Sequence, residues 1–343
     1  MIETDRELDE LAAAARTIPG LVFRRLRLPD DLVPLSEMNN RAAAADDLDE
    51  RESAEDWDSW FSHPTGFDPM IDTLVGESDG RIVGYAQARA QDDNDGGRNY
   101  SVGGEVDPDY RGRGIGRALL QHNIRHQQAR ARREAAAAPG PAPIERRLES
   151  WASESQPRRN RLLTSEGFEV VRWFFEMLRP KLDDIADQAM PEGLEIRPVV
   201  AEHHRRIWEA DVEAFRDHWG ATDDTEEGFK RFFSPPDFRP DIWRVAWDGD
   251  QVAGVVMNRI MTTFNDETGE RRGELAGVSV RRPWRRRGLA RALVAESLRA
   301  LRDTGMTSAV LGVDAANPTG ALGVYEANGF RVHRQGMNFR RPM

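Results

Sequence analysis

Apolar residues in this 343-residue chain alternate between two spacings, and the same order of spacings occurs twice. Short segments rich in apolar residues that follow a turn signal, such as 82–89 and 251–255, predict strands. Apolar residues three and four positions apart predict helices that bury one face. The clearest helical stripe is repeated in register: Ile115, Leu119, Leu120 and Ile124 correspond to Leu289, Leu293, Val294 and Leu298. Alternating strands and helices predict an α/β sandwich in each half.

Three landmarks in the same order indicate an internal duplication. They are hairpins with an Asp-Gly turn at 78–85 and 247–255, the phrase R-x-x-G-x-G/A at 111–116 and 285–290, and a Gly-Phe pair at 167–168 and 329–330. The two copies are 174 residues apart at the second landmark but 162 apart at the third. The Ala/Pro-rich segment 132–143 accounts for the difference, and its composition predicts a flexible insertion.

The duplication sets the expected domain organisation. Residues 1–19 read as a short helical extension without the apolar core of a signal peptide. The first domain is expected at 20–180 and the second at 194–343, with a linker at 181–193 that ends near a proline and a glycine.

Composition excludes several classes of function. The chain has no cysteine, which rules out disulfides, thiolate metal sites and an acyl-cysteine intermediate. The net charge of -11 argues against bulk nucleic-acid binding, which needs a basic surface. We expect no membrane span, because no run of about 18 apolar residues occurs. His, Asp and Glu show no metal-ligand spacing, so we expect no metal. A cytoplasmic location is the default expectation.

The repeated glycine phrase predicts a phosphate site. In each copy it follows a strand and opens a helix, where backbone N–H groups converge and the helix dipole favours an anion. Glycine, or alanine at 290, permits the close backbone approach that a pyrophosphate needs. Arg285, Arg286 and Arg287 add cationic donors in the second copy.

These residues, with the downstream tyrosine and Gly-Phe pair, resemble the GNAT N-acetyltransferase superfamily over nearly the whole chain. The resemblance implies two tandem domains, each a mixed, mostly antiparallel sheet flanked by helices. It also implies acetyl-CoA as the donor cosubstrate and a primary amine as the acceptor. The strand before the loop would offer backbone groups to the pantetheine arm and the thioester. The implied cofactor-binding positions are Val278, Val280, Arg285, Arg286, Arg287, Gly288, Leu289, Ala290 and Asn317, with Val106, Arg111, Gly114 and Gly116 in the first copy.

The two halves differ in the side chains that could perform chemistry. The family's tyrosine, which protonates the leaving thiolate, corresponds to Tyr325, but the first half has Leu163 there. The attacking amine must lose a proton, and Glu274 on the strand entering the site is the candidate base. Its first-half counterpart is Tyr100. The second domain is therefore the expected catalyst and the first is expected to be non-catalytic; Asp314 and Glu105 are weaker candidates for the base.

The acceptor remains open at this stage. Some spacings resemble tandem members that acetylate the cysteinyl amine of a sugar-derived thiol precursor. His218 and Trp219 could line the acceptor pocket, or they could cap the domain core. The alternatives are an acetyltransferase of an aminated antibiotic, a protein acetyltransferase, and a non-catalytic acyl-CoA-binding regulatory protein. We expect a small-molecule amine as substrate, and a monomer or a homodimer.

Overall fold

The computed structural model describes residues 11, 18–137, 145–220, 223–317 and 320–343. The chain divides into two compact units, 1–171 with 338–343 and 172–337. This division comes before the expected linker at 181–193. The reason is that residues 174–179 pair antiparallel with residues 309–314, which belong to the second unit.

The first unit is a sheet of strands with helices between them. The strands are β1 (Val22–Arg25), β2 (Thr73–Ser78), β3 (Arg81–Asp92), β4 (Arg98–Val106) and β5 (Arg146–Ser153). The helices are α1 (Leu32–Ala45), α2 (Ala54–Ser62), α3 (Pro69–Asp72), α4 (Ile115–Ala137) and α5 (Pro157–Ser165). Neighbouring strands in the order β1-β2-β3-β4-β5 are antiparallel, except that β4 and β5 are parallel.

The second unit repeats this plan. Its strands are β6 (Glu169–Arg179, from residue 172), β7 (Glu195–Arg197), β8 (Arg244–Asp248), β9 (Gln251–Ile260), β10 (Arg272–Val280), β11 (Ser308–Asp314) and β12 (Arg331–Pro342, to residue 337). Its helices are α6 (His204–Phe215), α7 (Glu226–Phe232), α8 (Thr262–Thr268), α9 (Leu289–Asp303) and α10 (Ala321–Ala327). In the order β7-β8-β9-β10-β11-β6, only β10 and β11 are parallel. The expected mixed, mostly antiparallel sheets flanked by helices are confirmed.

Both hairpins form with two-residue turns. Asp79 and Gly80 connect β2 to β3 with φ values of 50° and 78°, as a turn matched to strand twist requires. In the second copy the turn lies between the paired residues Asp248 and Gln251, one position later than the Asp-Gly pair itself.

The Gly-Phe landmark is a helix end in both units. The N–H of Phe168 donates to the carbonyl of Leu163, and the N–H of Phe330 donates to that of Tyr325, both at 3.1 Å. The preceding glycines have φ values of 81° and 83°, and each phenylalanine is buried. In both units a glycine ends the helix and the phenylalanine after it packs back on that helix. This requirement explains why the Gly-Phe pair occurs in both copies.

The helical stripes are confirmed, but the predicted insertion is partly wrong. All eight apolar residues of the two stripes are buried. Helix α4 continues to Ala137, because the alanine, arginine and glutamate of 132–137 favour helix. Residues 138–143 lie outside the described part of the chain, as does most of the 1–19 extension. No described helix is long and apolar enough to cross a membrane.

Candidate active site

Strand β10 has a bulge where the site is expected. Its register with β9 shifts between Leu275 and Gly277, so that Ala276 is an extra residue. Its parallel ladder with β11 joins residues 272–274 to 308–310, although β10 continues to Val280. Within these two described strands, the edge of residues 277–280 that faces away from β9 therefore has no strand partner. The predicted positions Val278 and Val280 lie on this stretch, although the carbonyl of Val280 already accepts a hydrogen bond from Arg285 at 2.9 Å.

The glycine loop leads directly into a helix in both units. Gly288 is the N-cap of α9 with φ of 88°, and Gly114 precedes α4 with φ of 93°. The first amides of each helix lack intrahelical acceptors, which suits them to an anion. A Cβ built on Gly116 would lie 3.6 Å from the nearest atom, on Val106. That space explains why alanine is accepted at the same position, Ala290, in the second copy.

The first arginine of each phrase is engaged inside its own unit. Arg285 donates from Nε to the Val280 carbonyl at 2.9 Å, from Nη1 to Asp217 at 2.8 Å and from Nη2 to the Ala214 carbonyl at 3.1 Å. Arg111 repeats this pattern with Val106 (3.0 Å), Asp46 (2.5 Å) and Ala42 (3.4 Å). These arginines fasten the loop to the end of a neighbouring helix. Direct phosphate contact by Arg285 and Arg111 stays a prediction, and the side chains better placed for it are the exposed Arg286 and Arg287.

Arg286 has a left-handed backbone with φ of 62°. The same position in the first copy is Gly112, with φ of 79°. A non-glycine residue in this conformation costs about 1 kcal/mol or more. Such strain is commonly retained where the side chain has a function, here an exposed cation at the predicted phosphate loop.

Replacing Arg286 by glycine should therefore separate stability from ligand binding. We expect Arg286→Gly to raise the free energy of unfolding by roughly 0.5 kcal/mol, because the strain is relieved while glycine adds entropy to the unfolded chain. The KM for acetyl-CoA should rise about fivefold to tenfold through loss of one phosphate contact. Urea unfolding and steady-state kinetics measure the two effects. The matched substitution Gly112→Ala should lower the free energy of unfolding and leave the KM unchanged. An unchanged KM in Arg286→Gly would show that Arg286 does not contact the phosphates.

Glu274 lies directly opposite Arg259 in the β9–β10 register. Arg259 donates from Nε to Oε2 of Glu274 at 2.8 Å, and its Nη2 lies 2.5 Å from the same oxygen. No described residue donates to Oε1. A carboxylate oxygen of Asp237 lies 3.6 Å from the same Nε of Arg259. The carboxylate is thus oriented by a cation and keeps one oxygen that can accept a proton.

Tyr325 is buried on α10, with its ring 6.2 Å from that of Phe330. Burial raises the pKa of Tyr325 to about 12, so the phenol keeps its proton throughout the working range of an enzyme. Its hydroxyl makes no hydrogen bond to a described residue, so the O–H can donate to a ligand. Leu163, its counterpart, is fully buried in the first unit and can donate nothing.

His218 and Trp219 lie near the loop and the end of β11. Burial and the positive charge of Arg285 lower the pKa of His218, while Asp314 opposes this shift. The Trp219 ring is 5.8 Å from that of Phe174. Val280 lies six positions along the strand from Glu274, a distance of roughly 20 Å. His218 and Trp219 therefore lie closer to the phosphate end of the site, near Arg285, than to Glu274. The sequence suggested that they could line the acceptor pocket, and a role in binding stays a prediction.

The remaining candidates are less suited to proton transfer. Both carboxylate oxygens of Asp314 accept hydrogen bonds from Arg172, at 2.8 and 2.7 Å. Glu105 is paired with Arg159 at 2.9 Å. Asn317 follows β11 and its N–H donates to the Asp314 carbonyl at 3.1 Å. Its contact with CoA stays a prediction.

Sequence reasoning missed two side chains at this site, Arg259 and Asp211. Asp211 is buried on α6, and burial raises its pKa to about 6, with a hydrogen bond to Ser279 of β10 opposing that shift. A carboxylate on the apolar face formed by Ile207, Ala210 and Ala214 was visible as an exception in the helical pattern. Arg259 gave no such signal, because its role depends on strand register.

Comparisons with known proteins agree with this geometry. The model of the acetyltransferase (GNAT) family matches residues 34–138 and 204–330. The chain is 29% identical to a mycothiol acetyltransferase of Geodermatophilus obscurus, over 79% of this chain and 82% of that protein. It is 31% identical to a mycothiol acetyltransferase of Nocardiopsis dassonvillei, over 74% and 77%. The resemblance found in the sequence is confirmed.

Solved structures show the same fold. A GCN5-related N-acetyltransferase from Sphaerobacter thermophilus superposes with a TM-score of 0.67 at 26% identity, over 95% of this chain and 97% of that one. A tandem GNAT protein from the clavulanic acid biosynthesis pathway gives 0.65 at 17% identity, over 94% and 98%.

Proposed function

This chain belongs to the GNAT acetyltransferase family, and we propose that its second unit transfers an acetyl group from acetyl-CoA directly to a primary amine of a small molecule. The observation that carries the proposal is the difference between the two copies. Both have the split strands and the glycine loop, but the two positions of the proposed chemistry differ: the second copy has Glu274, oriented by Arg259, and the buried Tyr325, where the first has Tyr100 and Leu163.

The proposed reaction uses groups of the second unit in sequence. Glu274 takes a proton from the ammonium form of the acceptor, either directly or through a water. The amine then attacks the thioester carbonyl carbon, and a backbone N–H of the unpaired β10 edge stabilises the resulting oxyanion. As the carbon–sulfur bond breaks, the electron pair goes to sulfur, which takes up the proton of the Tyr325 hydroxyl. The Tyr325 phenolate then takes the extra proton that remains on the acylated nitrogen, directly or through a water, and Glu274 releases its proton to solvent. The products are the N-acetylated amine and CoA.

For the acceptor we propose an amine like that of the mycothiol acetyltransferases, the cysteinyl amine of a pseudodisaccharide thiol precursor. The likeness to those relatives supports this choice. Neither a nucleic acid nor a membrane is needed as a partner.

The test is acetyl-CoA turnover, followed by thiol release, against a panel of amines. The panel contains cysteinyl-glucosaminyl-inositol, its glucosaminyl-inositol fragment and several aminoglycosides, and mass spectrometry locates the acetyl group. Selective N-acetylation of the cysteinyl compound is the expected result. Selective turnover of an aminoglycoside would replace the proposed acceptor. Tight CoA binding without turnover of any amine would favour a non-catalytic acyl-CoA-binding regulatory protein.

A further inference from the structure

The first unit also has a split between its two parallel strands. The ladder joins residues 98–101 of β4 to residues 146–149 of β5, in the same register as the ladder of the second unit. Past the ladder, Ser150 of β5 donates to the Val102 carbonyl of β4 at 2.8 Å. Beyond this point the backbone groups that face across the split correspond by position to those assigned to the pantetheine arm in the second unit.

A side chain of the first unit spans this split. Arg159 on α5 donates from Nε to the Trp151 carbonyl of β5 at 2.7 Å. From Nη1 it donates to the Gly104 carbonyl of β4 at 2.6 Å and to Glu105 at 2.9 Å. One guanidinium thus satisfies a backbone carbonyl on each strand and is held by a carboxylate. These are strong, charge-assisted bonds in a fixed geometry.

The neighbouring residues hold this arrangement in place. Gln156 donates to Glu105 at 3.4 Å and to Asp46 at 3.0 Å. Asp46 is the carboxylate that pairs with Arg111 of the glycine phrase. The side chain of Arg159 is 21% exposed, so most of it is enclosed. The bridge is therefore continuous with the contacts that fasten the loop.

The residue at this position in the second unit cannot form an equivalent bridge with its side chain. Counted back from the Gly-Phe landmark, the counterpart of Arg159 is Ala321. The side chain of alanine has no donor and ends at its Cβ. It therefore cannot make the bond that Arg159 makes to Gly104, whose counterpart at the offset of the glycine phrase is Val278.

We infer that Arg159 occupies the pantetheine position of the first unit and restricts acyl-CoA to the second unit. The inference rests on the proposed use of acetyl-CoA. The guanidinium takes backbone acceptors that the amides of a pantetheine arm would use, and it bonds to both strands across the split. The first unit keeps its glycine loop but is closed to the part of the cofactor that carries the acyl group.

Calorimetric titration with coenzyme A tests this on the full chain. The wild type should bind one equivalent, and Arg159→Ala should bind a second, with an affinity at least about tenfold above any second binding by the wild type. Arg159→Ser serves as a second opening variant, and circular dichroism checks that each variant folds. The matched control is Arg161→Ala, which removes an exposed arginine of the same helix and should leave one equivalent. Adding Gly114→Asp to Arg159→Ala should remove the gained equivalent.

Two results would overturn the inference. One is a wild type that binds two equivalents, with one lost in Gly114→Asp. The other is an opened variant that gains no equivalent. A failure of the proposed function would give a different result. The one equivalent of coenzyme A that the wild type binds would then still bind to the Gly288→Asp variant, whose second-unit loop is blocked. A wild type that binds none, with one equivalent gained by Arg159→Ala, would support the inference and contradict the proposed site in the second unit.

Discussion

Replacing Glu274 by glutamine should lower kcat/KM for the amine roughly 10² to 10³-fold at neutral pH. Glutamine keeps an oxygen for Arg259 but cannot accept the proton of the ammonium. The loss should shrink as the pH approaches the pKa of the amine, because the solvent then supplies the neutral nucleophile. Initial rates of thiol release between pH 6.5 and 9.5 measure both effects.

The control for this substitution is Glu270→Gln. Glu270 lies just before β10 and also pairs with an arginine, Arg272, at 2.5 Å. The Glu270→Gln substitution removes a similar charge without removing the proposed base, so activity should change less than about twofold. Equal losses in the two variants would mean that charge, and not proton transfer, explains the effect. A loss in Glu274→Gln that is constant with pH would also count against the base.

Replacing Tyr325 by phenylalanine should lower kcat about 10 to 10²-fold and leave the KM for acetyl-CoA nearly unchanged. The smaller effect follows from the chemistry. A thiolate is a fairly good leaving group, and a phenol with a pKa of about 12 is a weak acid that mainly stabilises the developing charge. Since the hydroxyl has no described partner, the substitution should not affect folding.

Tyr85→Phe is the matched control. Tyr85 is a tyrosine of the first unit whose pKa is raised by burial, and its hydroxyl donates to Asn39 at 3.2 Å. Its loss should have little effect on kcat. A Tyr325→Phe variant with unchanged kcat, or one whose loss lies entirely in KM, would show that Tyr325 packs the core without acting on the sulfur.

Much of the fold was visible in the sequence because local physics sets it. The Gly-Phe helix caps need a left-handed residue followed by a buried one, so Gly167 and Gly329 mark helix ends in both copies. The hairpin turns and the helical stripes obey equally local rules. The glycine phrase was placed correctly before its helix for the same reason.

The features that sequence reasoning missed depend on distant contacts. The partner of β6 is strand β11, more than 100 residues away, so the division between units could not be placed from local pattern. The contacts of Arg285 with Asp217 and Ala214 also could not be read from the sequence, because only folding brings these partners together; its contact with phosphate stays a prediction. The Arg159 bridge likewise joins three segments of the first unit.

The most direct test of the central claim is a crystal structure of the Glu274→Gln variant with acetyl-CoA and the acceptor amine. Our account predicts pyrophosphate on the amides that begin α9 and the pantetheine arm along residues 277–280. The thioester carbon should lie about 3 to 3.5 Å from the amine nitrogen, with the sulfur facing the hydroxyl of Tyr325. A cofactor bound in the first unit alone, or a thioester remote from Glu274 and Tyr325, would contradict the assignment of catalysis to the second unit.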